Sequence, residues 1–272
     1  MSALPLSGRV AIVTGANHGI GAATAIALAA LGADVAVSFL RIESVGDEPG
    51  GPPAYVAARR YDASQVVASV KQHGGQAVAV EADLADPATP RRIFDEAESA
   101  LGPVSILINN ASGWRKDSFS SDVSDRFGRR NEPVTAATAD AQLLVDARGG
   151  ALMIAELALH HRRHRHTWGR IISLTSGGPA GFPGEASYGA AKAALENYTM
   201  SASAELAGEG ITANVVYPPV TDTGWVTDAV RQAVAESTDH HRIADPTEVA
   251  EVIVWLCTDA ARLVTGNVIR LR

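Results

Sequence analysis

The chain has 272 residues, of which 46% are hydrophobic and 19% charged, enough apolar material for a sizeable core and too little charge for wholesale disorder. Its formal net charge of −7 argues against a dedicated nucleic-acid binder, and its lone cysteine, Cys257, excludes an intrachain disulfide. Cys257 reads as a buried, inert thiol and suits a reducing compartment. The chain passes from MSALPLSGR straight into VAIV, without the charged region and long apolar region of a secretion signal. No apolar run approaches the ~18–20 residues of a membrane span. These features predict a cytoplasmic protein with no membrane partner.

Short apolar runs then alternate with longer, Ala-rich stretches. The run at 10–13 leads into a helical pattern at 19–31, and the runs at 35–39 and 77–80 flank another at 62–73. A helix at 90–100 precedes the run 104–108, and a long one at 139–160 precedes 171–174. Helices at 186–207 and 246–258 precede the runs 212–217 and 268–271. The runs have strand length and most are rich in Val and Ile. Their alternation with helices predicts an α/β fold. The expected architecture is a single Rossmann-type, doubly wound parallel sheet of about seven strands with helices on both faces. One domain over 1–272 accommodates it. Residues 42–61, with their Gly and Pro, predict a surface loop. Residues 112–138 and 219–240 are expected to be substrate-side loops, because ligands bind at the carboxyl ends of strands in such sheets.

The segment 14–21, TGANHGIG, joins the first strand to the first helix. Gly15, Gly19 and Gly21 let the backbone turn tightly and approach a pyrophosphate, whose charge the helix N-terminus favours. The spacing G-x-x-x-G-x-G differs from the common G-x-G-x-x-G fingerprint, but its strand-loop-helix setting indicates a dinucleotide site. Further along, Tyr188 and Lys192 stand four apart on one helical face, with Ser176 upstream. A lysine charge favours the phenolate. Moving a phenol from about 10 to about 7 takes roughly 4 kcal/mol. A unit charge ~4 Å away, at an effective dielectric of about 20, supplies that order of energy. Ser176 can then hold a substrate oxygen while Tyr188 moves its proton.

TGANHGIG, Asp83–Leu84, Asn109–Asn110–Ala111, and Ser176 with Tyr188 and Lys192 stand in one order at matching distances. In these motifs the chain resembles the short-chain dehydrogenase/reductase family over 8–272, and within it members of the 3-oxoacyl-carrier-protein-reductase kind. The resemblance implies a nicotinamide cofactor and a homotetramer or homodimer. It implies Tyr188 as general acid/base, Lys192 as the group that lowers its pKa and binds the nicotinamide ribose, and Ser176 as the group that orients the carbonyl. It puts Gly15, Asn17, His18, Gly19, Ile20, Gly21, Phe39 and Arg41 along the cofactor. Asp83 and Leu84 would lie by the adenine, and Asn110, Ala111 and Ser112 by the ribose. Pro218, Thr221 and Thr223 fall in the segment that contacts the carboxamide.

Four positions depart from the family pattern. Ser112 stands where a glycine is usual, and Pro219 where a glycine follows Pro218. Asp146, in VDARG, takes the place of an asparagine that helps hold a water in a proton relay. Asp146 can keep that role through its backbone; its carboxylate, ionised near Lys192, partly offsets the field on Tyr188. Eleven residues, 177–187, separate Ser176 from Tyr188, one fewer than usual. Thr175 restores the usual count, so the substrate-facing hydroxyl lies between Ser176, which the strand end favours, and Thr175.

The end of the second strand falls at Phe39, with no carboxylate before Glu43 and with Arg41 close by. His18 occupies a position where NADP-using members carry a base. Charge complementarity therefore favours NADP(H) over NAD(H). The run HHRRHRH at 160–166 has His160 and His164 at metal-ligand spacing, but no carboxylate cluster accompanies it in sequence. It reads as the exposed last turn of a helix, with no metal site. Trp114, Phe119 and Trp225 line a pocket or pack on the domain. The expected function is an NADP(H)-dependent oxidoreductase acting on a small carbonyl or alcohol. Two alternatives remain: a non-catalytic NADP(H)-binding sensor or assembly subunit, and a family member with epimerase or dehydratase chemistry.

Overall fold

The structure is a computed structural model that describes residues 3–42, 52–125, 127–178, 181–238 and 241–272. Seven parallel strands form one sheet: β1 (Val10–Thr14), β2 (Asp34–Phe39), β3 (Ala77–Glu81), β4 (Val104–Asn109), β5 (Gly169–Leu174), β6 (Ile211–Tyr217) and β7 (Val268–Arg270). Their order is β3-β2-β1-β4-β5-β6-β7. The chain winds outward from β1 to β3, then returns to pair β4 on the other side of β1. That reversal opens a crevice between the carboxyl ends of β1 and β4.

Alternate residues of the central strand feed two cores. Ala11 and Val13 face α1 (Gly19–Ala30), α3 (Ser64–Gln72) and α9 (Pro246–Leu256), through Leu28, Val70 and Ile253. Val10 and Ile12 face α4 (Thr89–Leu101) and α6 (Gly150–Arg163), through Phe94, Met153 and Leu157, with Leu206 of α7 (Ala186–Leu206). The helices follow their side chains. In α4, Ile93, Phe94 and Ala97 are buried, while Arg91–Asp95 and Arg92–Glu96 pair along its outer face. Helix α9 starts with Pro246 after Asp245, whose carboxylate accepts from the Thr247 N–H in a capping box closed by Glu248.

Three connections carry more structure than their composition predicts. The expected loop 42–61 holds a short helix, α2 (Pro53–Ala58), whose Pro-Ala start suits a first turn; its residues 43–51, Glu43 among them, lie outside the described residues. The expected loop 219–240 contains α8 (Asp228–Ala235), capped by Thr227, whose hydroxyl accepts from the Val230 N–H. The helix expected at 139–160 begins earlier, as α5 (Ala136–Gln142), behind a Thr135–Thr138 capping box. It joins α6 through a π-helical stretch, Leu143–Gly149, which holds Asp146. Among the described residues no helix is long and apolar enough to cross a membrane.

Candidate active site

One side chain locks the carboxyl ends of β1 and β4 together. Thr14 Oγ1 accepts from the N–H groups of Asn110 and Ala111, each at 3.0 Å, and donates to the Ile108 carbonyl. Asn110 Nδ2 donates to the carbonyls of Thr14 and Gly15, at 2.9 Å each. The Asn110 side chain thus braces the glycine loop. At Gly15, where φ is +62°, a Cβ would stand 2.7 Å from Ala111 Cα. At Gly21 a Cβ would stand 2.4 Å from the Gly15 carbonyl oxygen. No side chain fits either place, so the loop presses flat against β4 and keeps its backbone open to the crevice. His18, the residue before α1, makes no side-chain cap, which leaves the first N–H groups of the helix for a ligand. Its Nδ1 is buried without a hydrogen-bond partner, and burial, then the Arg59 charge, holds its pKa below the usual histidine range. Together the cradle and this orphaned nitrogen fit a dinucleotide.

A cleft of about 1830 Å3 runs along this edge of the sheet. That exceeds the ~300–1000 Å3 of ordinary small-ligand pockets and leaves room for a dinucleotide and a second molecule. Gly15, Asn17, His18, Gly19, Ile20, Phe39, Asp83, Leu84, Asn110, Ala111, Ser112, Pro218, Thr221 and Thr223 all line it, as do Thr175, Ser176, Tyr188 and Lys192. Gly21 lies behind the loop. Arg41 is directed elsewhere: its Nε and Nη2 donate to Glu81 at 2.9 and 2.7 Å. Arg59, at the end of α2, lines the cleft beside Ser38 and Phe39 instead. Its segment read as a loop, and the only signal for it was an arginine pair, Arg59–Arg60, following an Ala-rich turn. Tyr55 of α2 stands edge-on between His18 and Trp114, 6.2 and 6.0 Å between ring centroids, and so bridges the glycine loop and the loop after β4.

Helix α7 presents Tyr188 and Lys192 to the cleft one turn apart. The Ser176 hydroxyl lines the same cleft and favours the Tyr188 phenolate. Lys192 Nζ lies 5.7 Å from the centre of the tyrosine ring and 2.9 Å from Asp146 Oδ1. Both charged side chains are buried, at 2% and 0% exposure. Asp146 Oδ2 accepts from the Gly113 N–H at 2.8 Å, while Oδ1 faces the ammonium out of line for a straight hydrogen bond. The wide π-helical turn carries Asp146 inward to this position.

This geometry corrects one expectation. Lys192 alone should pull the phenol's pKa down, yet it is raised well above its ordinary value. Desolvation by the protein packed around it is the largest cause, followed by the Asp146 carboxylate and then Glu185 and Tyr55; only the Ser176 hydroxyl opposes them. Asp146, 2.9 Å from the Lys192 ammonium, opposes the ammonium's effect on the phenol.

The loop after β4 is tied down rather than open. Lys116 Nζ donates to the carbonyls of Arg129 and Arg130 and to Asn131 Oδ1, at 3.0, 2.9 and 2.6 Å, with Asp125 at 3.4 Å. Glu185 accepts from Trp114 Nε1 and from Arg129. Asp117 caps α7 from outside: its carboxylate accepts from the Ser187 N–H and its carbonyl from the Ala186 N–H. Ser112 Oγ accepts from the Trp114 N–H, so the hydroxyl shapes the loop locally. Trp114 and Trp225 line the cleft, whereas Phe119 is 87% exposed outside it.

A second correction concerns the histidine run. His160 and His161 are only 1% exposed, and Glu98 of α4 meets both His160 and His164. The carboxylate missing from the local sequence comes from another helix. Cys257 is fully buried as expected, and burial pushes its thiol up to about 12.

Comparison with known proteins agrees with this architecture. The family model described as enoyl-(acyl carrier protein) reductase matches residues 52–271. The 3-oxoacyl-[acyl-carrier-protein] reductase of a Synechocystis species is 30% identical over 264 residues, covering 96% of this chain and 94% of its own. A dehydrogenase/reductase from Sinorhizobium meliloti superposes with a TM-score of 0.80 at 30% identity, covering 99% of this chain and 95% of its own. A short chain dehydrogenase from Burkholderia cenocepacia, solved in complex with NADP, gives a TM-score of 0.79 at 29% identity, covering 98% and 97%. Sequence, sheet order and site geometry agree: this chain belongs to the short-chain dehydrogenase/reductase family of oxidoreductases.

Proposed function

We propose that the protein is an NADP(H)-dependent oxidoreductase that moves a hydride between the nicotinamide and a carbonyl or secondary alcohol. The observation that carries this reading is the meeting of Ser176, Tyr188 and Lys192 in one cleft with the glycine loop. The bound nicotinamide supplies or accepts the hydride. Ser176 holds the substrate oxygen, and Tyr188 Oη gives that oxygen a proton in reduction or takes it in oxidation. A phenol kept protonated by burial carries the proton that reduction of a carbonyl requires. Asp146 positions the Lys192 ammonium. Arg59 at the end of α2 and Ser38 of β2 line the cleft, and among the described residues β2 ends in Phe39, Leu40 and Arg41 rather than in the carboxylate that would repel a 2′-phosphate. The NADP complex of the Burkholderia relative supports that preference, and the Synechocystis relative's name points to a 3-oxoacyl compound as the substrate class. One cytoplasmic domain, assembled as a homo-oligomer through helices that expose Leu159 and Tyr198, completes the reading.

NADPH oxidation against a panel of ketones and aldehydes tests it. Tyr188→Phe is expected to lower kcat by about 10²–10⁴ with NADPH affinity retained. An unchanged rate would refute the mechanism.

The Asp146–Lys192 contact favours a second reading, a dinucleotide-binding protein with little turnover. Tight NADPH binding without turnover, in wild type and Asp146→Asn alike, would establish it.

A further inference from the structure

The most concentrated set of donor atoms outside the cleft lies at the opposite, amino-terminal edge of the sheet. It joins the last turns of α4 and α6, just ahead of β4 and β5. Glu98 Oε2 stands 2.9 Å from His160 Nδ1 and 2.9 Å from His164 Nε2. The three donor atoms lie within 4.8 Å of one another. We propose that Glu98, His160 and His164 form a binding site for a divalent transition cation of the Zn2+ class, which pins α4 to α6.

Four features carry the proposal. First, His160 Nδ1 is buried 2.9 Å from Glu98 Oε2 yet makes no well-aligned hydrogen bond, so this nitrogen is left without a partner at the carboxylate. Second, the spacing suits a small cation. Zn–N and Zn–O bonds of about 2.0–2.2 Å put neighbouring donors roughly 3.4 Å apart, which modest side-chain rotations reach. Third, an outer shell is in place. Glu156 Oε2 lies 3.6 Å from His160 Nε2, beyond direct hydrogen-bond reach in this structure but near enough for its charge to favour a proton on Nε2 over one on Nδ1. Glu98 Oε1 accepts from the Val104 N–H, and the Phe94 ring lies 5.1 Å from the His160 ring. Fourth, the charges close: two carboxylates and two neutral imidazoles leave −2, which one divalent cation cancels. Arg162, from the same run, is turned away onto Glu209. Arg163 and Arg165 are exposed and unfavourable to a cation only through water. The His164 side chain, 28% exposed, provides an entry path and a place for a water as fourth ligand.

The site stands or falls independently of the oxidoreductase reading. The test is calorimetric titration of the chelator-treated full chain with Zn2+, alongside thermal unfolding. The expected result is binding of one Zn2+ per chain and a Tm raised by roughly 5 °C or more at saturating metal. His164→Asn and Glu98→Gln should each weaken binding at least 100-fold, while the exposed His73→Asn leaves it unchanged. His164 is accessible enough for its variant to fold, which circular dichroism confirms. No Zn2+ binding by the wild type, or binding that survives His164→Asn in the folded protein, would overturn the proposal. Co2+ substitution adds a spectroscopic check: d–d absorption of tetrahedral intensity should arise in the wild type and vanish in His164→Asn.

Discussion

Two lysines are buried in this protein, and they are treated differently. Lys116 is surrounded: three oxygens accept its ammonium protons and Asp125 stands at 3.4 Å. Lys192 touches a single carboxylate, at 2.9 Å and out of line, and borders the cleft. A fully coordinated ammonium holds structure, because every proton is satisfied and the charge has nowhere else to act. An ammonium with one partner keeps donors for a ligand and a field that a neighbouring phenol feels. Of the arginines near the cleft, Arg41 is clamped by Glu81, whereas Arg59 lines the cleft itself.

Substitutions can break this distinction. The largest effect on turnover is expected at Lys192→Met, a loss of about 10²–10³; because it also strands the buried Asp146 carboxylate, the rate is read on protein that circular dichroism shows to be folded. Lys116→Met should do the reverse. It leaves three acceptors and Asp125 without their cation and should cost about 3 kcal/mol in urea unfolding, with activity lost through the disordered loop rather than the chemistry. Equal effects of the two substitutions on stability and turnover would erase the contrast.

Asp146→Asn sharpens it. Removing the carboxylate removes a cause that raises the Tyr188 pKa, so the phenolate becomes easier to form. The rising limb of alcohol oxidation follows phenol deprotonation, and it should move to lower pH. The asparagine amide oxygen can still accept from the Gly113 N–H, so the π-helical turn is retained. A profile that stays put would mean that Asp146 exerts no field on Tyr188. The smallest effect is expected between the arginines. Arg59→Ala should raise the KM for NADPH about tenfold, and Arg41→Ala less than twofold.

The strands were legible because each is a short apolar run bounded by turn residues, and every one of the seven recurs within a residue or two of its expected span. Tyr188, Lys192 and the glycine loop were legible because their chemistry depends on spacing within single elements. What escaped depends on partners distant in sequence. Asp146 could be placed but not read, since its effect comes from Lys192 and from the π-helical turn that swings it inward. The histidine run looked like an exposed helix end because Phe94 and Glu98, which bury and pair it, belong to α4. Arg59 was hidden inside a segment whose prolines suggested a loop, although a proline at the start of a helix is favourable.

The cap that Asp117 places on α7 has a consequence for timing. Glu185, the residue before the helix, provides no side-chain cap of its own, so the first amides of α7 are satisfied by the loop after β4. A movement of Asp117 with that loop releases the amides of Ala186 and Ser187, two and one residues before Tyr188. Loop opening and fraying at the head of the catalytic helix are thus one event. Hydrogen exchange at those two amides should therefore report how firmly Asp117 and the loop after β4 are held.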